Sequence, residues 1–218
     1  MKLEKVSKLT GIIHCVGNLH IGGSKDTIEI GGMDNPVIKH PVTNEPYIPG
    51  SSLKGKMRCS VEREAGKPGS RACGCGDPLC AICVVFGSLG NRNLGPTRLI
   101  VRDAMLTEES REKIFEFISA ADQSYVSVKY ENSINRRTGK ADNPRPIEFV
   151  PSDTDFELNI SVLIYDVDNG KGYFDLIKQG LRAVEDTYLG GMGSRGYGQV
   201  EFLDLKLDGA PFSIRDAK

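Results

Sequence analysis

Hydrophobic positions change period several times along this chain, and each change marks an element. Leu9, Gly11, Ile13, Cys15, Gly17 and Leu19 alternate with Thr10, Ile12, His14, Val16, Asn18 and His20, and a period of two predicts a strand. A Gly-rich loop follows, running from Ile21 through "EIGGMDNPVIKHP" to "YIPGSS". Ser51 or Ser52 then offers an N-cap, and Leu53, Met57 and Val61 recur at helical spacing in a helix that should end by Gly66. "TRLIVRDAML" reads as a second strand. Thr107 can cap a helix with Glu108 and Glu109 in its first turn, where the dipole favours acids, and with Ile114, Phe115 and Ile118 on one side. "SYVSVKYENSINRRTGKADNPRPIEFV" alternates at both ends around a basic, polar middle, the pattern of a long hairpin or arm.

"DFELNISVLIYDV" is a third strand. Tyr173, Phe174, Ile177, Leu181, Val184 and Tyr188 form an apolar helical stripe that reads as core. A glycine loop and a final strand, "QVEFLDLKL", close the pattern. Without its insertions the order is β-α-β-β-α-β, an α+β, ferredoxin-like split βαβ arrangement.

At 218 residues the chain fits one large domain with sizeable insertions. No segment approaches the roughly 18 consecutive apolar residues of a membrane span. "MKLEKVSKLTGIIHC" carries charges throughout and does not read as a signal peptide, so a cytoplasmic location is expected. A net charge of −1 argues against a simple polyanion-binding protein, but the charge is unevenly placed. Between Ser51 and Arg71 lie Lys54, Lys56, Arg58, Arg63, Lys67 and Arg71 against Glu62 and Glu64, and a second cluster holds Arg136, Arg137, Lys140 and Arg145. Phosphate binding follows such local clusters, although either one alone also fits an ordinary solvated face.

Two glycine motifs imitate nucleotide fingerprints. "GSSLKGK" places Gly50, Gly55 and Lys56 as a P-loop would, but Met57 stands where Ser or Thr should bind magnesium, and no buried strand precedes it. What survives is a helix start with Lys54 and Lys56 nearby, which suits a phosphate. "GMGSRGYG" has the Gly191, Gly193, Gly196 spacing of a dinucleotide fold, yet it follows a helix and opens a strand, the reverse of the required order. Its amides, with Ser194 and Arg195, can still approach a polyanion. A plain helix stop and turn explains Gly190 and Gly191 but not the glycines beyond.

Cys73, Cys75, Cys80 and Cys83 form C-x-C-x4-C-x2-C within "CGCGDPLCAIC". Thiolates this close, separated by Gly and Asp-Pro turns, suit one tetrahedral structural zinc that would fold a loop too polar to fold alone. A metal-free cysteine cluster is the alternative. Cys15 and Cys59 read as core residues.

Taken together, "LHIGG", "GGMDNP", "YIPGSSLKGKMR", the cysteine insertion and "LGGMGSRGYGQV" resemble the RAMP (repeat-associated mysterious protein) superfamily. More closely, they resemble the repeated backbone subunit of type III-A, Csm-type CRISPR interference complexes, across Leu19 to Val200. The resemblance implies a single domain over 1–218. It has a ferredoxin-like (RRM-like) palm at about 1–60, 96–124 and 151–210, a zinc-containing lid at about 61–95, and a β-hairpin thumb at about 125–150. Such subunits stack head to tail on a guide RNA beside a large polymerase-like subunit, a small helical subunit and other RAMP subunits, with no membrane involved. Each thumb displaces a base pair of the guide–target duplex at regular intervals.

The resemblance also implies Mg²⁺- or Mn²⁺-dependent cleavage of complementary target RNA by the acid of the "GGMDNP" loop, here Asp34. His20, Ser52, Lys54 and Arg58 match positions that contact guide RNA. Arg136 and Arg137 in the thumb, with Gly193, Ser194 and Arg195 in the glycine loop, complete the expected RNA surface. A sequence-blind grip needs phosphate contacts rather than base readout, and RNA brings its own 2′-OH nucleophile, so one carboxylate on a loop is credible chemistry. Two other readings remain: a non-catalytic scaffold subunit of a type III-B complex, and a guide-processing RAMP nuclease with His14 or His20 as base.

Overall fold

In the computed structural model, which describes residues 1–23, 35–67, 69–88, 94–122, 125–170 and 173–215 (the side chains of 117–122 excepted), the opening alternation forms β1, Leu3–Cys15. Ser7, Leu9, Ile13 and Cys15 turn into the core, and Lys8, Thr10 and His14 line the other face.

Helix α1 (Gly50–Glu64) buries Leu53, Met57 and Val61, one face at a spacing of four. Cys59 lies off that face and is exposed, so it is not a core residue. Neither Ser51 nor Ser52 caps α1. Pro49 holds the N-cap position, and the Gly50 N–H donates to Oδ1 of Asp103 at 2.8 Å. A carboxylate from 53 residues away takes the place expected of a serine hydroxyl.

The cysteine segment also departs from expectation. Its second half folds as α2 (Ala81–Phe86), which drives Ile82, Val84, Val85 and Phe86 into the main core. The insertion is therefore polar only up to Cys80. Next come β2 (Leu99–Val101), shorter than "TRLIVRDAML" predicts, and α3 (Glu108–Asp122). The Thr107 hydroxyl accepts the Ser110 N–H at 3.2 Å, as a cap should. Ile114 is buried and Phe115 exposed. β3 (Ser127–Ile134) and β4 (Ala141–Phe149) pair as an antiparallel hairpin, separate from the main sheet.

β5 (Thr154–Tyr165) alternates cleanly, with Phe156, Leu158, Ile160 and Val162 inward. α4 (Phe174–Glu185) buries Ile177, Leu181 and Val184, and Tyr188 stands beyond its end. β6 (Val200–Leu207) and β7 (Ala210–Pro211) follow.

The main sheet is ordered β2-β5-β1-β6-β7, and each neighbouring pair is antiparallel. The architecture is mixed α and β with antiparallel sheets. The inward residues of β1, β5 and β6 share one core with α1, α2 and α4. Burying each such Leu, Ile, Phe or Met contributes about 1.5–3 kcal/mol. Gly180 lets α4 close on α1, since a Cβ there would lie 3.1 Å from Cε of Met57. On the opposite sheet face Lys8, Thr10, Glu157, Asn159 and Glu201 are exposed. No helix among the described residues is long and apolar enough to cross a membrane.

Candidate functional site

Both arms of the Gly-rich loop return to the root of the β3–β4 hairpin. Gly22 and Val37 bridge, the Gly23 N–H donates to the Pro36 carbonyl at 3.0 Å, and the Ile38 N–H to that of Ile21 at 2.8 Å. Glu148 of β4 fastens this junction. Its carboxylate accepts the Val37 N–H at 2.9 Å and Lys39 Nζ at 3.1 Å, while its own N–H donates to the Asn35 carbonyl at 3.3 Å. Sequence reasoning missed Glu148. Its one signal was an acid inside the strand run "IEFV", where a charge is retained only if partnered.

Asp34 lies outside the described residues. Asn35, the next residue, lines a cleft of about 420 Å³ with Glu131, Arg145 and Ile147 of the hairpin and Met192 and Arg195 of the glycine loop.

His20 is buried beneath that loop. Its Nδ1 lies 2.8 Å from the Glu148 carbonyl, which only accepts, so Nδ1 carries a proton and donates it there. The Gly191 N–H donates to the His20 carbonyl at 2.8 Å. His14 belongs to the open sheet face instead, with Nδ1 2.7 Å from Oδ1 of Asp155.

Two glycines of the loop are fixed by close approach. At Gly193 a Cβ would fall 2.1 Å from Cγ of Tyr188, and at Gly198, with φ of +78°, it would fall 2.0 Å from the Leu189 carbonyl oxygen. Gly193–Arg195 forms a 3-10 turn entered through Met192 at φ 59°, an uncommon conformation for a side chain of that size. The Tyr188 ring that excludes a side chain at Gly193 also holds Lys56, whose Nζ is 3.5 Å from its centroid. The two glycine motifs thus meet at one aromatic ring. Arg195 Nη1 donates to Oε2 of Glu131 at 3.0 Å, and the Tyr197 hydroxyl donates to Oε1 at 3.3 Å.

Along α1, the expected cations face inward. Lys54 Nζ donates to the Leu99 carbonyl at 2.8 Å and to Thr97 Oγ1 at 3.2 Å, and burial, then the charge of Arg58, holds its ammonium below the ordinary pKa. Arg58 donates to Glu62 at 2.8 Å and to the Cys73 carbonyl at 2.7 Å, while Glu62 accepts the Cys73 N–H at 2.9 Å. Ser52 is half-buried in the first turn, its N–H on the Pro49 carbonyl at 2.9 Å. Arg136 and Arg137 are exposed at the hairpin turn. Asn135 Oδ1 accepts the N–H groups of Arg137 at 3.0 Å and Thr138 at 3.1 Å, an Asx turn that presents both guanidiniums to solvent.

The four cysteines converge: Sγ atoms of Cys73, Cys75, Cys80 and Cys83 all lie within 4.8 Å of one another. Cys75–Cys83 measures 3.6 Å and Cys73–Cys83 3.7 Å. A tetrahedral zinc with Zn–S of about 2.3 Å sets its sulfurs about 3.8 Å apart, so the donor set fits. Burial opposes ionisation of Cys80, but hydrogen bonds from the Cys83 N–H, the Cys75 and Cys83 thiols and Lys67 outweigh it and bring the pKa to about 7. Cys83 is pushed up to about 12 by burial and its neighbouring thiols.

Comparison with known proteins agrees with this geometry. A family model described as the RAMP superfamily matches residues 12–201. The CRISPR system Cms endoribonuclease Csm3 of Methanothermobacter thermautotrophicus is 44% identical over 225 residues, covering 97% of this chain and 89% of that protein. Its counterpart in Streptococcus thermophilus is 41% identical over 206 residues, covering 91% and 88%. Among solved structures, a chain of the Csm3–Csm4 subcomplex of a type III-A CRISPR-Cas interference complex superposes with a TM-score of 0.56 at 31% identity, covering 95% of this chain and 80% of that one. The chain belongs to the RAMP superfamily and, within it, to the Csm3 family.

Proposed function

We propose that this chain is the guide-RNA-binding backbone subunit of a type III-A CRISPR effector complex and cuts complementary target RNA as an endoribonuclease. The observation that carries this reading is its near full-length identity to endoribonucleases of the Csm3 family. The β2-β5-β1-β6 order, with α1 and α4 sharing its core, supports a ferredoxin-like palm. In this reading the cysteine segment is the lid, closed by a structural zinc on Cys73, Cys75, Cys80 and Cys83, and the β3–β4 hairpin is the thumb.

Arg136 and Arg137 at the thumb turn, with Gly193, Ser194 and Arg195, hold phosphates of the guide. Lys54 and Arg58 shape the surface of α1 while tied to β2 and the lid, and His20 and Ser52 support it from beneath the glycine loop and in the first helical turn. The thumb wedges the guide–target duplex open at regular intervals. Asp34, carried on a loop whose arms are pinned at the thumb root, acts on the RNA displaced there. With Mg²⁺ or Mn²⁺ bound, the site gains charge stabilisation for the departing oxygen. Asp34 would hold that cation or orient the 2′-OH, and the hairpin wall would keep the nucleotide splayed for in-line attack. The partners are guide RNA, target RNA, the other complex subunits and further copies of this chain, in the cytoplasm.

The test is target cleavage by the assembled complex with Asp34→Ala. Loss of cutting with guide binding retained supports the reading. Cutting that persists at the same spacing removes Asp34 from catalysis, and an unmodified complex that never cuts leaves a scaffold.

A further inference from the structure

Glu131 stands where a scaffold reading has no use for it. It is an acid on β3 that lines the cleft between the hairpin and the glycine loop and pairs with two cations. Arg195 Nη1 lies 3.0 Å from Oε2, and Lys129 Nζ lies 3.6 Å from Oε1 and 4.3 Å from the Tyr197 ring centroid. Arg145 lines the same cleft and donates to Ser133 Oγ at 3.3 Å, with no carboxylate partner among the described residues. Two cations thus engage one carboxylate, and a third, Arg145, lines the same cleft of about 420 Å³ beside it, with Met192 and Ile147 as apolar wall. That volume lies in the range of small-ligand sites, roughly 300–1,000 Å³.

We propose that this cleft is a seat for one phosphodiester of bound RNA and that the Glu131 carboxylate occupies the phosphate's place on Arg195 until RNA arrives. The inference rests on the RNA-binding reading above and adds a competitor inside the protein. A carboxylate and a phosphodiester offer the same paired anionic oxygens to a guanidinium fork. Arg195 is 59% exposed, so its bond to Glu131 is weakly held and exchangeable. Arg98–Asp168, with both side chains at most 3% exposed, is the contrasting permanent pair. The Tyr197 hydroxyl, at 3.3 Å from Glu131, keeps the carboxylate anchored when Arg195 leaves it. Arg145 supplies the second cation for the phosphate, and the loop's entry through Met192 at φ 59° sets Arg195 on the cleft rim.

The experiment titrates the full chain with an unstructured single-stranded RNA across a series of salt concentrations. Glu131→Gln should tighten binding by about two- to five-fold, the size of an exposed ion pair's competition. It should also steepen the log–log salt dependence by about 0.7, one more phosphate contact on a single strand. Arg195→Ala should weaken binding, and Glu131→Gln should then add nothing. Glu131→Ser, a smaller replacement, should give the same sign as Gln. Unchanged affinity and slope in Glu131→Gln overturns the proposal, as does weaker binding with a lowered melting temperature, which marks a purely structural bond. An equal gain in the Arg195→Ala background also overturns it, because the effect is then general charge. A wild-type chain that binds no RNA at any salt overturns the guide-binding reading itself, a result separable from all of these.

Discussion

Removing Asp168 should expose how much of the sheet depends on one buried charge pair. Arg98 and Asp168 have side chains 3% and 2% exposed. Asp168 Oδ1 accepts Arg98 Nη2 at 2.9 Å, and Oδ2 accepts Nε at 3.0 Å and the Tyr165 N–H at 3.0 Å. Arg98 Nη1 reaches the Leu94 and Pro96 carbonyls, and its guanidinium stands 5.0 Å from the Tyr165 ring centroid. The pair locks the entry to β2 against the turn that follows β5.

Asp168→Ala leaves the guanidinium buried with two carbonyls, a ring and no counter-charge. Breaking one partner of such a pair costs about 3–5 kcal/mol. At about 2–4 °C per kcal/mol for a domain of this size, the melting temperature should fall by about 6–20 °C. Urea unfolding at fixed zinc is the assay, with Arg215→Ala as control. Arg215 bridges Glu185 and Asp186 with its own side chain 58% exposed, so that change should leave the unfolding midpoint nearly where it is. Arg98→Met with Asp168→Leu should recover most of the loss, because no charge is then stranded. If Asp168→Ala costs no more than Arg215→Ala, the pair is not holding the junction and the reasoning fails. Neither residue lines the cleft, so RNA affinity per folded molecule should not change.

Purified protein should carry about one zinc per chain, and Cys75→Ser or chelation should lower the melting temperature; elemental analysis finding no zinc would remove the metal from the four-cysteine site. Burial, then Asp155, pushes the Cys15 thiol from its ordinary 9.0 up to about 12, whereas Cys59 is exposed. Alkylation of the native protein at pH 8 should therefore label Cys59 and spare Cys15, which peptide mapping reads directly. The unfolded chain loses this proton first, so stability should also fall as pH rises from about 9 toward 12. Gly193→Ala puts a Cβ 2.1 Å from the Tyr188 ring, which must move. An overpacked contact of this kind costs about 1–3 kcal/mol, and RNA binding should weaken with it unless Tyr188→Ala is added to make room.

Local pattern carried the parts of the fold that are local. The alternation of β5, the stripe of α4, the hairpin turn at Asn135 and the convergence of four closely spaced cysteines all lie within short windows. What the sequence hid is contact between distant segments. Asp103 caps α1, and Glu148 pins the segment that follows Asp34 through Asn35 and Val37. Each pairs residues that no periodicity relates, and a serine beside a helix start looks like a cap whether or not a carboxylate already serves. Cys59 failed for a simpler reason: two residues on from Met57, it points away from the buried face.

The same distinction explains how a chain of net charge −1 can hold RNA. Glu62, Glu148, Asp168, Glu185 and Asp208 are each engaged by a cation or backbone N–H of the fold, so these acids are held within the fold. The first basic cluster is engaged in the same way, with Lys54 on β2 and Arg58 on the cysteine segment. Arg136 and Arg137 are left without an ion pair to any described residue, on a hairpin that stands apart from the sheet. At physiological salt a charge acts over about 8 Å, so RNA feels these unpaired cations and not the sum over the chain. Salt sensitivity of RNA binding should therefore track the β3–β4 hairpin and glycine-loop arginines, while substitutions at Lys54 and Arg58 should register first as lost stability.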